Sequence, residues 1–366
     1  MKLLLLSDHL SSHTEKWAKS LARKDFEIVI FSLSQKTATH NYNEYSNIKV
    51  ICENYRANTV ASGSLLQKSL YLFSWFRLKK TIRSFKPDLV HAHYASSYGL
   101  LGALSGFHPF IISVWGSDVF SFPDTYIKAR LLRYNLSKAD RLLSTSHVMA
   151  AETSKYTNKK IEITPFGIDV EKFRPRKVES VFKPTDFVIG TVKSLERIYG
   201  IDVLISAFGK LKSSFPGETI KLLVIGDGSQ RKVLEKQVKD SGLADDVVFQ
   251  GAMSQDEVPK YLNMLHIFVA LSRSESFGVS VLEASACEKP VIVSRVGGLP
   301  EVVDEGISGL IVESENVDEA YNALLTLKND GELRNKMGQA GRRKVLNSFN
   351  FSSNVELMIK IYKNLI

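Results

Sequence analysis

Two carboxylates with seven residues between them stand out in the stretch Glu275-Ser-Phe-Gly-Val-Ser-Val-Leu-Glu283. The Phe-Gly step and the apolar run predict a loop followed by a helix over residues 279–287. A glycine before a helix lets the backbone approach a ligand, and the free N–H groups of the first turn attract an anion. Carboxylates on either side could accept hydrogen bonds from hydroxyl groups. The stretch could therefore bind an elongated ligand with an anionic middle, such as a nucleotide sugar. Alternatively, it is a capped core helix with two solvated carboxylates.

Two cations and a glycine turn elsewhere in the second half could serve the same ligand. Lys193 follows a predicted strand and Arg197 comes four residues later, so that the pair could clamp a diphosphate and neutralise leaving-group charge. Gly226 and Gly228 follow another strand in a turn that lacks the complete dinucleotide-binding spacing. Taken alone, a cation pair of this kind is usually solvated surface.

The elements that would position these residues alternate between strand and helix. Predicted strands cover residues 2–7, 26–32, 88–91, 110–114 and 141–144 and, after a break, 186–191, 221–225, 247–250, 267–270 and 290–293. Helical spacing lies between them, for example over 14–22 and 125–137. This alternation predicts an α/β protein with parallel sheets covered by helices, in which ligands bind beyond the carboxyl ends of the strands.

The break between the two series of strands predicts two doubly wound domains. Residues 164–169 and 173–175 contain proline and glycine residues of the kind that is typical of a linker between domains. We expect one Rossmann-like domain over residues 1–170 and a second over 171–350, with the ligand in the cleft that they would form. A final amphipathic helix near 352–366 could belong to either domain.

Composition favours a soluble cytoplasmic protein. No apolar run approaches the ~20 residues of a membrane-spanning helix. The opening residues 1–8 are apolar over only four positions, which predicts a buried strand and not a signal peptide. Cys52 and Cys287 lie far apart in the sequence, as expected for a reducing compartment without a disulfide framework.

The net charge of +9 comes entirely from the first half of the chain. Residues 1–172 hold 23 Lys and Arg against 14 Asp and Glu, whereas 173–366 hold 25 of each. A helical projection of residues 65–86 separates an apolar arc from a basic one. The apolar arc contains Leu70, Tyr71, Trp75, Leu78, Ile82 and Phe85, and the basic arc contains Lys68, Lys79, Lys80, Arg83 and Lys86 with Leu72 and Phe76. This pattern predicts reversible docking on an anionic membrane surface, on its inner face. A nucleic-acid partner is not expected, because no aromatic stacking motif accompanies the cations.

The ordered motifs of residues 186–313 resemble the second domain of family-four retaining glycosyltransferases, which have the GT-B fold. The resemblance rests on Lys193 and Arg197 with Tyr-Gly-Ile-Asp, Gly226-Asp-Gly228, Glu275 and Glu283 around Phe-Gly, and Gly297-Gly-Leu-Pro-Glu301. It implies transfer of a sugar from a nucleotide donor, UDP-linked in most of the family. No metal or other cofactor is implied, because the cations neutralise the phosphates.

The resemblance also implies roles for individual residues of the donor site. Glu283 would hold the ribose hydroxyls, and Glu275 would contact the transferred sugar. Lys193 and Arg197 would bind the phosphates. The residues that would present backbone to the donor are Phe277, Gly278, Val279, Gly226 and Gly228.

The first half resembles the acceptor domain of the same family. Residues 87–93, Pro-Asp-Leu-Val-His-Ala-His, look like the strand leading to the acceptor site, and Ser113-Val-Trp-Gly-Ser-Asp118 resembles its His-Gly-Ser-Asp segment with Trp115 in place of the histidine. Asp118 and His93 are candidates for positioning the acceptor, although each could equally be structural. His13 lies in a predicted loop over residues 11–15, where relatives often carry paired glycines.

The function predicted from the sequence is retaining transfer of a hexose or N-acetylhexosamine to a glycan acceptor, in polysaccharide or lipopolysaccharide synthesis. A lipid-linked acceptor would suit the basic first half. Two alternatives are a GT-B-fold nucleotide-sugar epimerase, which would act without an acceptor, and a non-catalytic module that binds sugar nucleotides or membranes.

Overall fold

The computed structural model describes residues 1–35, 42–55 and 71–366, with the side chains of the last range described from residue 73. The described chain divides into two compact units. The first contains Met1–Phe166 and Ser353–Ile366, and the second contains Gly167–Ser352. The division lies inside the segment 164–169 that the sequence predicts as a linker, and most of the last helix belongs to the first unit.

The first unit contains a parallel sheet of seven strands in the order β3-β2-β1-β4-β5-β6-β7. Its strands are β1 Lys2–Leu6, β2 Glu27–Ser34, β3 Ile48–Tyr55, β4 Leu89–His93, β5 Phe110–Val114, β6 Arg141–Ser144 and β7 Ile161–Ile163. Its helices are α1 Ser12–Ala22, α2 Tyr71–Phe85, α3 Ser97–Ser105, α4 Ser117–Phe120, α5 Tyr126–Lys138 and α6 His147–Ser154. Leu3 to Leu6 of β1 have no exposed surface, as expected for a central strand covered on both faces.

The second unit contains a parallel sheet of six strands in the order β10-β9-β8-β11-β12-β13. Its strands are β8 Phe187–Val192, β9 Ile220–Ile225, β10 Val247–Gly251, β11 Ile267–Ala270, β12 Val291–Ser294 and β13 Gly309–Val312. Its helices are α7 Ile201–Ser214, α8 Arg231–Asp240, α9 Val258–Met264, α10 Val279–Ala286, α11 Leu299–Val302, α12 Val317–Asn329 and α13 Gly331–Ser348. A final helix, α14 Phe351–Lys363, begins in this unit and continues into the first.

All ten predicted strands are present, with ends displaced by at most two residues. The three strands that the sequence analysis missed, β3, β7 and β13, all lie at sheet edges. An edge strand is less buried, so its sequence lacks the continuous apolar run that marks a central strand. In β3, for example, Lys49 is exposed between neighbours that are buried or half-buried.

Two predicted segments differ from the structure. Residues 11–15 are not a loop, because α1 begins at Ser12 and places His13 in its first turn. The helix predicted over residues 65–86 is present as α2 from Tyr71 to Phe85. Lys68 and Leu70, assigned to its two arcs, lie outside the described residues.

Candidate active site

Lys193 and Glu275 form an ion pair at the carboxyl edge of the second sheet. Lys193 directly follows β8, and its Nζ donates a hydrogen bond to Glu275 Oε2, with the two side chains only 10% and 13% exposed. The same ammonium group lies 4.9 Å from the centroid of the Tyr199 ring. Burial and then the charge of Glu275 raise the pKa of the Tyr199 hydroxyl. This contact was not predicted from the sequence, where Lys193 and Glu275 were assigned to separate parts of a ligand.

The glycines of the Gly-Asp-Gly turn support the loop that carries Lys193. A β-carbon on Gly226 would lie 1.8 Å from the carbonyl oxygen of Lys193, and one on Gly228 would lie 2.6 Å from that of Leu195. The N–H of Lys193 donates to the carbonyl of Ile225. These glycines therefore allow two backbone segments to pack together, while their contact with a donor stays a prediction.

The second pair of glycines supports the loop that carries Glu275. A β-carbon on Gly297 would lie 1.8 Å from the carbonyl oxygen of Glu275, and the N–H of Gly298 donates to that same oxygen at 3.0 Å. The two loops that hold Lys193 and Glu275 are thus each held by a glycine turn from a neighbouring strand. This packing fixes where the ion pair sits.

Helix α10 begins beside Glu275 in the way that the sequence predicts. Gly278 is its N-terminal cap in the left-handed region (φ +108°), and no side chain caps the helix. The first N–H groups of a helix have no partner within it, so Val279 and its neighbours can serve an anion. Phe277 is buried, and Glu283 is 6% exposed on the helix that follows.

Three hydroxyl groups at the same edge are buried without a hydrogen-bond partner among the described residues. They belong to Thr191 in β8, Ser272 just beyond β11, and Ser280 in the first turn of α10. Buried hydroxyl groups normally have a partner, so these three are exceptions to the usual pattern at this edge of the sheet.

A residue without an assigned role, Arg273, organises the turn that contains Arg197. Its guanidinium group donates to both carboxylate oxygens of Asp202, at 2.9 and 2.7 Å, and to the carbonyl of Arg197 at 2.5 Å. The hydrogen bond to Asp202 raises the pKa of Arg273 further, so this cation stays charged. Arg197 itself has an exposed side chain. No local sequence pattern links Arg273 to a partner 71 residues away.

The predicted acceptor-side residues form an aromatic cluster at the carboxyl edge of the first sheet. The ring of His93, at the end of β4, stacks on Trp115 at 4.2 Å between centroids, and Tyr94 meets the edge of the same indole at 5.7 Å. His13 stacks on Phe166 at 4.0 Å and contacts Trp115 edge-on at 5.9 Å. Three of these five residues, His13, His93 and Trp115, were predicted from the sequence, and in the structure both histidine rings contact the indole.

Buried hydrogen bonds connect this cluster to the last helix. Tyr362 of α14 bonds through its hydroxyl to His91 Nδ1 at 2.7 Å, and His91 Nε2 bonds to Ser113 Oγ at 2.7 Å. The His91 ring meets that of His93 edge-on at 4.7 Å. Neither His91 nor Tyr362 was identified from the sequence, because they lie 271 residues apart.

Three histidines at this sheet edge, His13, His91 and His93, are held neutral. Burial lowers the pKa of His91 to about 3, and burial with the charge of Lys16 lowers the pKa of His13 to about 4. Burial and then its neighbours His91 and His13 bring the pKa of His93 well below the ordinary value. At neutral pH these three rings are therefore uncharged, with His91 and His93 buried behind Trp115 and His13 half-buried beside it.

Asp118 anchors the turn that carries Trp115. Its carboxylate is 1% exposed and accepts hydrogen bonds from the backbone N–H groups of Ala95 at 2.7 Å, Gly116 at 2.8 Å and Trp115 at 3.2 Å. Burial raises its pKa, and the backbone hydrogen bonds partly oppose that effect. This geometry supports a positioning role for Asp118 in preference to direct contact with an acceptor.

Residues 1–35, 42–55 and 71–366 contain neither a metal-binding cluster nor a membrane-spanning helix. No group of three or more His, Cys, Asp or Glu side chains in these ranges could hold a metal ion. No helix in them is both long and apolar enough to cross a bilayer.

Comparison with known proteins connects both units to one group of enzymes. The family model of glycosyl transferases group 1 matches residues 173–344, and that of glycosyl transferase 4-like proteins matches residues 2–146. An uncharacterized glycosyltransferase of Methanocaldococcus jannaschii is 27% identical over 361 residues, which cover 97% of this chain and 94% of that protein.

Solved structures with the same fold cover the whole chain. Sucrose-phosphate synthase from Thermosynechococcus elongatus matches with a TM-score of 0.85 at 19% identity, over 100% of this chain and 99% of that one. HepE of Anabaena in complex with UDP-glucose matches with a TM-score of 0.79 at 17% identity, over 100% of both chains. At such identities the likeness is one of fold.

Proposed function

Because this chain belongs to the group 1 glycosyltransferases and has the GT-B fold, we propose that it transfers a hexose or N-acetylhexosamine from a UDP sugar to a glycan acceptor. The predicted family, fold class and enzyme class are confirmed. The nucleotide, the sugar and the acceptor belong to the proposal. It is supported by HepE, a protein of this fold that has been crystallised in complex with UDP-glucose.

The observation that carries the proposal is the grouping of Lys193, Glu275 and the uncapped start of α10 at one sheet edge. An ammonium group and first-turn N–H groups together suit a diphosphate. A carboxylate beside them suits the hydroxyls of the attached sugar. Glu283, buried further along α10, would hold the ribose, as the resemblance implies.

The proposed reaction breaks the bond between the anomeric carbon and the diphosphate oxygen and forms a glycosidic bond on the same face of the sugar. The acceptor hydroxyl loses its proton to an oxygen of the departing diphosphate, so no protein base is required. Lys193, with Arg197 as a second candidate, neutralises the negative charge that develops on the leaving group. In the structure Lys193 is paired with Glu275, so the donor phosphates would have to share or replace that contact.

The proposed acceptor is a glycan on a lipid carrier, as in polysaccharide or lipopolysaccharide synthesis at the inner face of the membrane. The cluster around Trp115 supports a glycan, because aromatic faces pack well against the apolar faces of sugar rings. His93 and His13 would contribute as neutral rings around that indole.

A donor panel tests the proposal. The protein is mixed with UDP, GDP and ADP sugars, and binding is read by thermal shift while hydrolysis and transfer are read by product analysis. We expect stabilisation by UDP sugars. Turnover of a donor to its epimer without an acceptor would identify an epimerase, and tight binding without turnover in any acceptor panel would identify a binding module.

Two glutamate variants separate the assigned roles. Glu275→Ala should abolish sugar transfer but preserve the affinity for UDP. Removal of the Glu275 carboxylate leaves the Lys193 ammonium group available to the phosphates. Glu283→Ala should weaken UDP itself, and the exposed Glu332→Ala on α13 is the matched control. If Glu275→Ala weakens UDP and Glu283→Ala does not, the two assignments are reversed.

A further inference from the structure

We propose that helices α2 and α5 of the first unit form one membrane-docking face, and that its apolar tips lie at the sheet edge that carries Trp115. The proposed partner is a bilayer with anionic lipids. This inference rests on the proposed membrane-borne acceptor and adds the surface that would bring the enzyme to it. The charge pattern of the sequence predicts such a surface only over residues 65–86, and α5 is added by the structure.

Both helices are basic and contain no acidic residue. Helix α2 carries Arg77, Lys79, Lys80 and Arg83, and α5 carries Lys128, Arg130, Arg133 and Lys138. Arg77 pairs with Glu53, and Lys128 pairs with Asp124. Lys80, Arg83 and Arg130 are exposed and form no ion pair with any residue in the described ranges. Such cations are available to anionic headgroups.

Each helix also exposes large apolar side chains near its beginning. Phe73 and Phe76 of α2 are 69% and 67% exposed, and Tyr126 and Ile127 of α5 are 75% and 66% exposed. The opposite face of α2 is buried, with Leu78 fully inside the core. Exposed aromatic residues next to cations are the pattern of helices that lie in a membrane interface.

The two helices lie on the same face of the sheet. The connections from β3 to β4, from β4 to β5 and from β5 to β6 all run in one direction across the sheet, so right-handed crossovers place α2, α3 and α5 in one layer. Helix α3 packs against both others. For example, Trp75 of α2 donates through Nε1 to the carbonyl of Leu104 in α3 at 2.8 Å.

Both helices begin at the carboxyl edge of the sheet and run towards the amino edge. In α2, Ser74 donates to the hydroxyl of Tyr55 at the end of β3, whereas Phe85 lies beneath Lys2 at the start of β1. Helix α5 leads into Asp140, whose N–H donates to the carbonyl of Phe110 at the start of β5. The exposed apolar residues at both helix starts therefore lie towards the edge of the Trp115 cluster.

A bilayer fits this face better than a nucleic acid or a protein groove. Its cations are spread over two helices and extend away from the apolar tips, so that they can meet headgroups while the tips enter the acyl boundary. A lipid-linked acceptor has its glycan just above that boundary. This arrangement would bring the glycan to the edge where the aromatic cluster lies.

Vesicle sedimentation tests the proposal on the full chain. Vesicles of phosphatidylcholine alone are compared with vesicles containing about one third phosphatidylglycerol, since each cation near an anionic surface contributes roughly 1 kcal/mol, or about fivefold in affinity. The charge variant is Lys80→Glu with Arg83→Glu and Arg130→Glu, and the apolar variant is Phe73→Ser with Phe76→Ser. Lys232→Glu with Lys239→Glu on α8 and Lys260→Glu on α9 of the second unit is the control, because these exposed positions give the same change in net charge. UDP binding by thermal shift is measured for every protein, which also verifies folding.

We expect wild type and the control to bind anionic vesicles in preference to neutral ones. The charge variant should lose at least about tenfold in binding, and the apolar variant should lose binding to a similar extent, while UDP affinity stays unchanged. Equal binding by the charge variant and wild type, or an equal loss in the control, would overturn the proposal. The proposal would also be overturned if wild type binds duplex DNA more tightly than anionic vesicles and the same substitutions remove that binding. The face would then serve a nucleic acid. If wild type fails to bind UDP, the donor proposal fails while the vesicle result still decides this one.

Discussion

Replacement of Gly226 by alanine tests how tightly the loop with Lys193 is packed. A β-carbon at this position would lie 1.8 Å from the carbonyl oxygen of Lys193, and the φ angle of +138° is one that side chains rarely adopt. The alanine is therefore opposed both by its own backbone conformation and by a neighbouring backbone that no rotamer change can move. The loop with Lys193 would have to shift by about 1 Å or more in a closely packed interior.

The size of the effect follows from these two causes. An unfavourable backbone conformation costs about 1–3 kcal/mol, and overpacking costs about 1–3 kcal/mol more. We expect Gly226→Ala to lower the free energy of unfolding of the second unit by roughly 4 kcal/mol. Gly242→Ala is the matched control, because Gly242 also has a positive φ, +69°, but a β-carbon there would meet nothing within 4 Å. It should cost only about 1–2 kcal/mol.

The placement of tryptophan allows the two units to be followed separately. Trp17, Trp75 and Trp115 are the three tryptophans of the chain, and all lie in the first unit. Urea unfolding followed by tryptophan fluorescence therefore reports on that unit, whereas far-ultraviolet circular dichroism reports on both. Gly226→Ala should lower the midpoint of the transition that only circular dichroism detects, and it should weaken UDP binding at least about tenfold by displacing Lys193. A loss no greater than that of Gly242→Ala, or unchanged UDP affinity, would refute this reasoning.

The ion pair and the buried histidine network lead to three more expected outcomes. Lys193→Met should destabilise the second unit by about 3 kcal/mol, because it leaves Glu275 buried without its partner. The double variant Lys193→Met with Glu275→Gln should recover most of that loss in urea unfolding. Equal losses in the single and double variants would show that the two side chains are not coupled. Tyr362→Phe should raise the KM for the acceptor with little change in donor affinity, because it removes the hydrogen bond that orients His91 behind His93, and an unchanged KM would exclude this positioning role. Burial lowers the pKa of His91 to about 3, whereas the same side chain in the unfolded chain takes up a proton below about pH 6.5. The free energy of unfolding of the first unit should therefore fall as the pH drops from about 6.5 towards 3. His91→Asn should make this dependence on pH weaker in the fluorescence assay.

Much of the architecture could be predicted from the sequence because it is encoded locally. Central parallel strands are buried on both faces, so segments such as Ile267–Ala270 are continuous apolar runs. The Phe-Gly step before α10 predicts a helix start from adjacent residues alone. The edge strands β3, β7 and β13 escaped prediction because partial burial leaves them with mixed sequences.

The residues of the donor and acceptor edges were also named from local motifs, but their relations to one another were not. Nothing near Lys193 in the sequence indicates that its partner is Glu275, 82 residues later, or that Gly226 must be a glycine to let the Lys193 loop approach. Asp118 was named as a candidate for positioning the acceptor from its motif, while only the structure shows its carboxylate occupied by three backbone N–H groups.

The sequence alone predicts the family, the succession of strands and helices, and most of the residues at the two sheet edges. Each of these depends on the types and spacing of neighbouring residues. The folded molecule was needed to learn which of these residues touch, as with Tyr362 and His91, and that α5 joins α2 on one face. Such contacts depend on strand order and on side-chain packing between distant segments, which local periodicity does not encode.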